Sequence, residues 1–159
     1  MFLLQQHNEF FRLMIRQGID FLIIGGYAVN FHGYSRMTED IDLWLRPDNL
    51  NRDRFIQVLI SSTFSEAGIN KLKSTDFTEV VCFHIGERPK RIDFITKISG
   101  ISFNEAWTER ETMTVDDIQL PFISFNHLVL SKISNNRLRD QADVEELQKI
   151  SRIKSKPGH

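Results

Sequence analysis

A chain of 159 residues with 20 Lys and Arg against 21 Asp and Glu carries a formal charge of −1, which excludes broad electrostatic capture of nucleic acid and leaves room only for a local basic groove. The length suits one domain whose core stands without disulfides or structural metal, and a large second domain does not fit. The single cysteine, Cys82 in Glu-Val-Val-Cys-Phe-His, has no partner for an internal bridge; it reads as a packing residue in a reducing cytosol.

Residues 1–17 place apolar side chains at 2, 3, 4, 10, 11, 14 and 15 among polar ones, the pattern of an amphipathic helix. No signal peptide and no apolar stretch of membrane-spanning length is found, so no membrane partner is expected. Phe21-Leu22-Ile23-Ile24, in a strand at 20–24, ends at Gly25-Gly26. A short helix at 26–31, a turn through His32-Gly33-Tyr34-Ser35 and a strand at 40–45 follow. Pro47-Asp48 breaks that strand, and a helix at 51–61 turns Phe55, Val58 and Leu59 inward.

Strands at 77–85 and 90–96, joined by Gly86-Glu87-Arg88-Pro89, form a hairpin. Residues 103–108 read as a helical turn. Residues 112–123 read as short extended pieces around Asp116-Asp117, with Pro121 confining one of them to a sheet edge. Ser124 suits the N-cap of a helix bearing Leu128, Leu130 and Ile133. A last helix over 140–150 closes a domain of residues 1–150, and a flexible basic tail occupies 151–159. The order of elements is mixed α/β.

Chemistry concentrates at two places. Gly25-Gly26 ends a strand where a helix begins; bare backbone N–H groups and the positive end of a helix dipole there favour phosphate. Asp40 and Asp42, two apart on a strand, leave one face of the sheet as hard oxygen ligands of the kind Mg²⁺ takes. Asp93, within Arg91-Ile92-Asp93-Phe94, reads by itself as an edge carboxylate paired with Arg91 or Arg88. Beside the earlier pair it makes a third acid. Together the three suit two metal ions, with Asp93 also activating an acceptor hydroxyl. The histidines 7, 32, 84 and 127 lack metal-ligand spacing, and the thirteen phenylalanines are mostly core. Tyr27, Phe31 and Tyr34 either join that core or stack on a base.

Ile24-Gly25-Gly26, thirteen residues, Asp40-Ile41-Asp42-Leu43 and the later Asp93 resemble the nucleotidyltransferases of the polymerase-beta superfamily. Residues 24–43, with Ser131-Lys132 and Arg139-Asp140-Gln141-Ala142-Asp143, are similar to its minimal and AbiEii-type toxin branch. The resemblance implies an α+β nucleotidyltransferase-like fold, a small mixed sheet flanked by helices with further helices at the C-terminal end. It implies Mg²⁺- or Mn²⁺-dependent transfer of a nucleoside monophosphate from an NTP to a hydroxyl, with release of pyrophosphate.

On that basis Asp40, Asp42 and Asp93 hold metal, and Gly25 and Gly26 cradle the terminal phosphates. Lys132 offsets charge on the leaving pyrophosphate; its bland alternative is a solvated helix lysine. Arg36, Ser35 and Thr38 touch phosphate or base, or Thr38 simply caps the strand entry. Asp140 and Asp143 either complement a helix dipole or position Lys132 or the acceptor. A serine hydroxyl common after the first glycine in the superfamily is absent here. The acceptor is expected to be an RNA such as a tRNA 3′ end, in a cytoplasmic toxin with an antitoxin partner. The alternatives are an antibiotic or protein acceptor, a non-catalytic NTP-binding module, or a phosphohydrolase.

Overall fold

The computed structural model describes residues 7–62, 65–135 and 137–155. Helix α1 (Asn8–Arg16) leads into β1 (Phe21–Ile24), α2 (Gly25–Phe31), β2 (Ile41–Leu45), α3 (Asn49–Ser61) and α4 (Glu66–Lys73). The hairpin β3 (Cys82–Ile85) and β4 (Ile92–Ile95) precedes α5 (Phe103–Thr108). A second hairpin, β5 (Glu111–Val115) and β6 (Ile118–Phe122), precedes α6 (Phe125–Asn135) and α7 (Leu138–Ser155). The six strands form one mixed sheet in the order β3-β4-β2-β1-β6-β5. This is the expected architecture of a mixed sheet with helices, two of them at the C-terminal end.

Register decides which side chains share a face. β1 and β2 are antiparallel with Ile24 opposite Asp42, β2 and β4 are parallel with Asp42 opposite Asp93, and β3 and β4 are antiparallel with His84 opposite Asp93. Alternation then sends Phe21, Ile41, Leu43, Phe83 and Phe94 to the other face. There α1 and α3 cover them: Phe11 stacks on Phe21, Phe10 meets Phe94 edge-on, and Phe55 lies against both Phe83 and Phe94. On the Asp42 face, Trp44 meets Phe103 of α5 edge-on and donates its indole N–H to the Thr96 carbonyl at 2.9 Å.

Local chemistry accounts for the boundaries. Asp48 caps α3 by accepting from the Asn51 N–H at 2.7 Å, which starts that helix two residues earlier than its apolar spacing implies. Asp116 and Asp117, with φ of 47° and 67°, form the two-residue turn between β5 and β6, a left-handed pair that aspartate tolerates. Ser124 accepts from the His127 N–H at 3.2 Å and opens α6 as expected.

Several expectations are corrected. Helix α4 was not expected, because Ile69 is its one buried side chain and no apolar stripe announces it. Strand β3 is confined to Cys82–Ile85, and residues 77–79 turn instead. Pro121 lies on β6, between β1 and β5 rather than at an edge. The registered pairing to β1 is the single pair Ile23–Phe122, and the Ile123 N–H, two residues beyond the proline nitrogen, donates to the Ile23 carbonyl at 3.1 Å. Of the apolar residues read on α6, Leu128 is buried, beside Ser131 and Lys132, while Leu130 and Ile133 are exposed. Cys82 is exposed rather than packed. Helix α7 runs to Ser155, through residues 151–155 of the expected tail; residues 156–159 and 1–6 lie outside the described residues. No helix among the described residues is long and apolar enough to cross a membrane.

Candidate active site

Strand β1 delivers Gly25 to the open end of β2. Gly25 has a φ of +66°, and a Cβ built on it would lie 2.2 Å from Asp42 Oδ2; one on Gly26 would lie 2.2 Å from Thr38 Oγ1. Only bare backbone fits between the carboxylate and the threonine. Helix α2 starts at Gly25 with no side-chain hydrogen bond capping it, so its first N–H groups are presented at this turn.

Asp42 and Asp93 are adjacent across β2 and β4, and Asp40 sits one residue before β2 begins. All three line one cleft of about 890 Å³, together with Gly25, Gly26, Arg36, Thr38, Lys132 and Asp140. Burial, then the charges of Asp93 and Asp40, push the Asp42 carboxyl up to about 6, against the lesser pull of Lys132 and Arg137. Two of the acids have partners. Arg88 forks onto Asp40, with Nε 3.2 Å from Oδ1 and Nη2 3.0 Å from Oδ2. Arg91 donates to Asp93 Oδ1 from Nη2 at 2.8 Å and from Nε at 3.1 Å.

The opposite wall is a buried chain of charges. Lys132 Nζ lies 3.1 Å from Asp140 Oδ1 and 2.8 Å from Asp143 Oδ2. Arg36 forks onto Asp143 at 2.8 and 3.0 Å, and Arg137 Nε reaches Asp140 Oδ2 at 2.8 Å. Lys132, Asp140 and Asp143 are all buried. Burial alone would raise the Asp143 carboxyl; hydrogen bonds and charge from Arg36 and Lys132 outweigh it and hold the group below the ordinary carboxylate range. Lys132 is therefore not a solvated helix lysine, and Asp140 and Asp143 are its direct partners.

The same geometry removes some alternatives. Tyr27 is buried, Phe31 stacks on Phe122 with centroids 4.3 Å apart, and Tyr34 packs against the core, so these rings are structural rather than a base platform. Burial, then the charge of Asp40, pushes the Tyr27 hydroxyl up to about 12. Thr38 donates to the Asp40 carbonyl at 3.4 Å. Arg36 is turned to Asp143.

Sequence reasoning named Arg88 and Arg91 only as partners for Asp93 and His84 only as a histidine without metal-ligand spacing, and it did not single out Arg137; all four line the cleft. A signal existed for one of them, since Arg91 is two residues from Asp93; His84 comes opposite Asp93 because the connection runs over residues 86–91, two residues longer than the turn that the sequence suggests.

Carboxylate oxygens are the donor type for Mg²⁺ or Mn²⁺, and Asp42, buried between two other acids, is a carboxylate that gains from a cation. Among the described residues no three acid, histidine or cysteine side chains are gathered closely enough to hold one. Guanidinium groups stand on Asp40 and Asp93 instead. The three carboxylates have the donor type a divalent cation takes and share one wall of the cleft, with two of them held by guanidinium groups.

The family model described as "Nucleotidyl transferase of unknown function (DUF2204)" matches residues 4–158. The chain belongs to this family. As a nucleotidyl transferase it is an enzyme. Solved structures share its fold: TM1012 of Thermotoga maritima, assigned as a nucleotidyltransferase, at 10% identity and a TM-score of 0.58 with 92% of each chain covered. The lincosamide antibiotic adenylyltransferase LnuA, bound to lincomycin, matches at 17% identity and a TM-score of 0.51 over 87% of this chain and 92% of LnuA. An antigenic nucleotidyltransferase-like protein of Paracoccidioides brasiliensis matches at 13% and 0.53, over 95% of this chain and 76% of that one. No curated protein matches the transferase.

Proposed function

We propose that this transferase moves a nucleoside monophosphate from an NTP to a hydroxyl acceptor in the cleft between the Gly25-Gly26 turn and the Lys132 wall. One observation carries the reading: a glycine turn that admits only backbone abuts Asp42, which is the register partner of Asp93. Phosphate oxygens are received by the N–H groups at Gly25 and Gly26. Asp40, Asp42 and Asp93 would hold the divalent cation. Such a cation offsets charge on the triphosphate and lowers the pKa of a bound hydroxyl.

The acceptor oxygen bonds to the α-phosphorus as the bond to the pyrophosphate oxygen breaks, and the hydroxyl proton passes to Asp93. Lys132, with two N–H donors on Asp140 and Asp143, has a third for the departing pyrophosphate. Arg36 and Thr38 border the phosphate side, with Arg36 reaching it through Asp143.

The AbiEii-like motif set favours an RNA acceptor, such as a tRNA 3′ end, in a toxin kept in check by an antitoxin. The fold shared with LnuA over most of both chains supports a small-molecule acceptor as second reading. The test incubates the purified protein and Mg²⁺ with each labelled NTP, and with total RNA or a lincosamide and aminoglycoside panel. Label in RNA together with growth arrest on expression supports the first; label on a drug together with resistance supports the second. NTP consumption without any labelled acceptor, or label unchanged in Asp42→Ala, overturns transfer at this site.

A further inference from the structure

Resting on the proposed NTP site, we infer that Arg88 and Arg91 exchange partners during the catalytic cycle. They neutralise Asp40 and Asp93 in the nucleotide-free protein, and they move to the triphosphate when those carboxylates turn to a divalent cation. Arg88 engages both oxygens of Asp40 and Arg91 chiefly Oδ1 of Asp93, the lone pairs that metal ligation needs. A guanidinium cannot yield by losing its proton at any working pH, so it yields by moving.

Both side chains have somewhere to go. Arg88 is 62% exposed on the turn of the β3–β4 hairpin, and Arg91 is 31% exposed; both line the cleft that also holds Gly25, Gly26 and Lys132. Their planar forks suit phosphate oxygens as well as carboxylates. Among the described residues no guanidinium stands on Asp42, so the arginines cover two of the three acids and leave the third open to the arriving cation. Exchange of this kind makes cation and nucleotide bind together, since each frees what the other needs.

The test measures two affinities by separate means: Mn²⁺ for the nucleotide-free protein by electron paramagnetic resonance, and non-hydrolysable ATP, GTP, CTP and UTP analogues with Mg²⁺ by calorimetry. Arg88→Ala and Arg91→Ala are each expected to tighten Mn²⁺ and to weaken the preferred analogue, by about tenfold apiece. Arg139→Ala is the control, because Arg139 lines the same cleft but makes no ion pair among the described residues; it removes equal charge without freeing a carboxylate and shifts Mn²⁺ affinity by less.

Shifts of the same sign, or either shift without the other, overturn the exchange while leaving the NTP site standing. Wild-type protein that takes up neither Mn²⁺ nor any analogue sinks the site and the exchange together. If Arg91→Ala loses its circular dichroism signal, Arg88→Ala on the exposed turn decides.

Discussion

Asp42 and Asp93 face each other across neighbouring parallel strands, β2 and β4, and repel. Their repulsion adds to the burial that lifts the Asp42 carboxyl to about 6, so the fold holds an acid where neutrality is preferred. Arrangements of this kind trade stability for chemistry. Asp42→Asn is therefore expected to abolish nucleotidyl transfer, by on the order of a thousandfold, and to stabilise the metal-free protein at pH 7.5 by about 1–3 kcal/mol. Urea melts and a labelled-NTP assay on the same preparation check both; an inactive but less stable variant contradicts the assignment of repulsion.

The same carboxyl sets a pH dependence. Its folded pKa of about 6 lies above the ordinary 3.8, so between those values the folded chain binds more protons than the unfolded one. The contribution of Asp42 to stability is then most favourable below about pH 4 and is lost as pH rises through about 6, a swing of about 3 kcal/mol. Wild-type stability minus that of Asp42→Asn, measured from pH 4 to pH 8 without divalent cations, is expected to fall over pH 4–6.5 and to level off above. A flat difference removes the buried-acid account.

Gly25 separates two costs that usually arrive together. Its φ of +66° penalises any side chain, and a Cβ would also overlap Asp42 Oδ2 and Cγ. Gly25→Ala is expected to cost about 1–3 kcal/mol in urea melts. In an Asp42→Ala background the carboxyl overlap goes and the left-handed backbone cost of about 1–2 kcal/mol remains. Equal costs in the two backgrounds mean that the turn has no steric dependence on the carboxylate.

These positions show which parts of the molecule the sequence discloses. The β1–α2–β2 segment was legible because a four-residue apolar run, two glycines and an Asp-x-Asp alternation each have a short-range physical cause. The adjacency of Asp42 and Asp93 rests on strand order, since β4 reaches β2 after two helices and a hairpin strand, and periodicity does not carry that. Arg88 and Arg91 were visible only as ordinary partners for an edge acid; the Arg91–Asp93 pair agrees with that reading, whereas β4 lies inside the sheet and Arg88 pairs with Asp40 instead, which gives the arginines a place in the site. Burial of Lys132 was illegible because its compensating acids lie eight and eleven residues on, across a helix junction. The buried face of α6 was illegible for a related reason, as that helix turns a polar stripe containing Ser131 and Lys132 inward while Leu130 and Ile133 stay exposed.

That polar stripe gives a test of what Lys132 does for the fold as distinct from catalysis. Its ammonium is the shared partner of Asp140 and Asp143, both about 1% exposed, and Arg36 and Arg137 reach those acids from either side. Removing the lysine leaves two buried carboxylates with one guanidinium each, and breaking a buried pair from one side costs about 3–5 kcal/mol. Lys132→Met is expected to fall in that range, because methionine fills the volume but supplies no charge. Adding Asp140→Asn should recover part of the loss, since it withdraws one of the stranded charges, while Arg36 continues to satisfy Asp143. Transfer activity should not return in that double variant, because the proposed donor to pyrophosphate is still missing. Chemical denaturation of the two single variants and the double variant closes the cycle. A double variant no more stable than Lys132→Met shows that the lysine supports the fold through packing, and a double variant that regains activity removes Lys132 from the leaving-group side of the reaction.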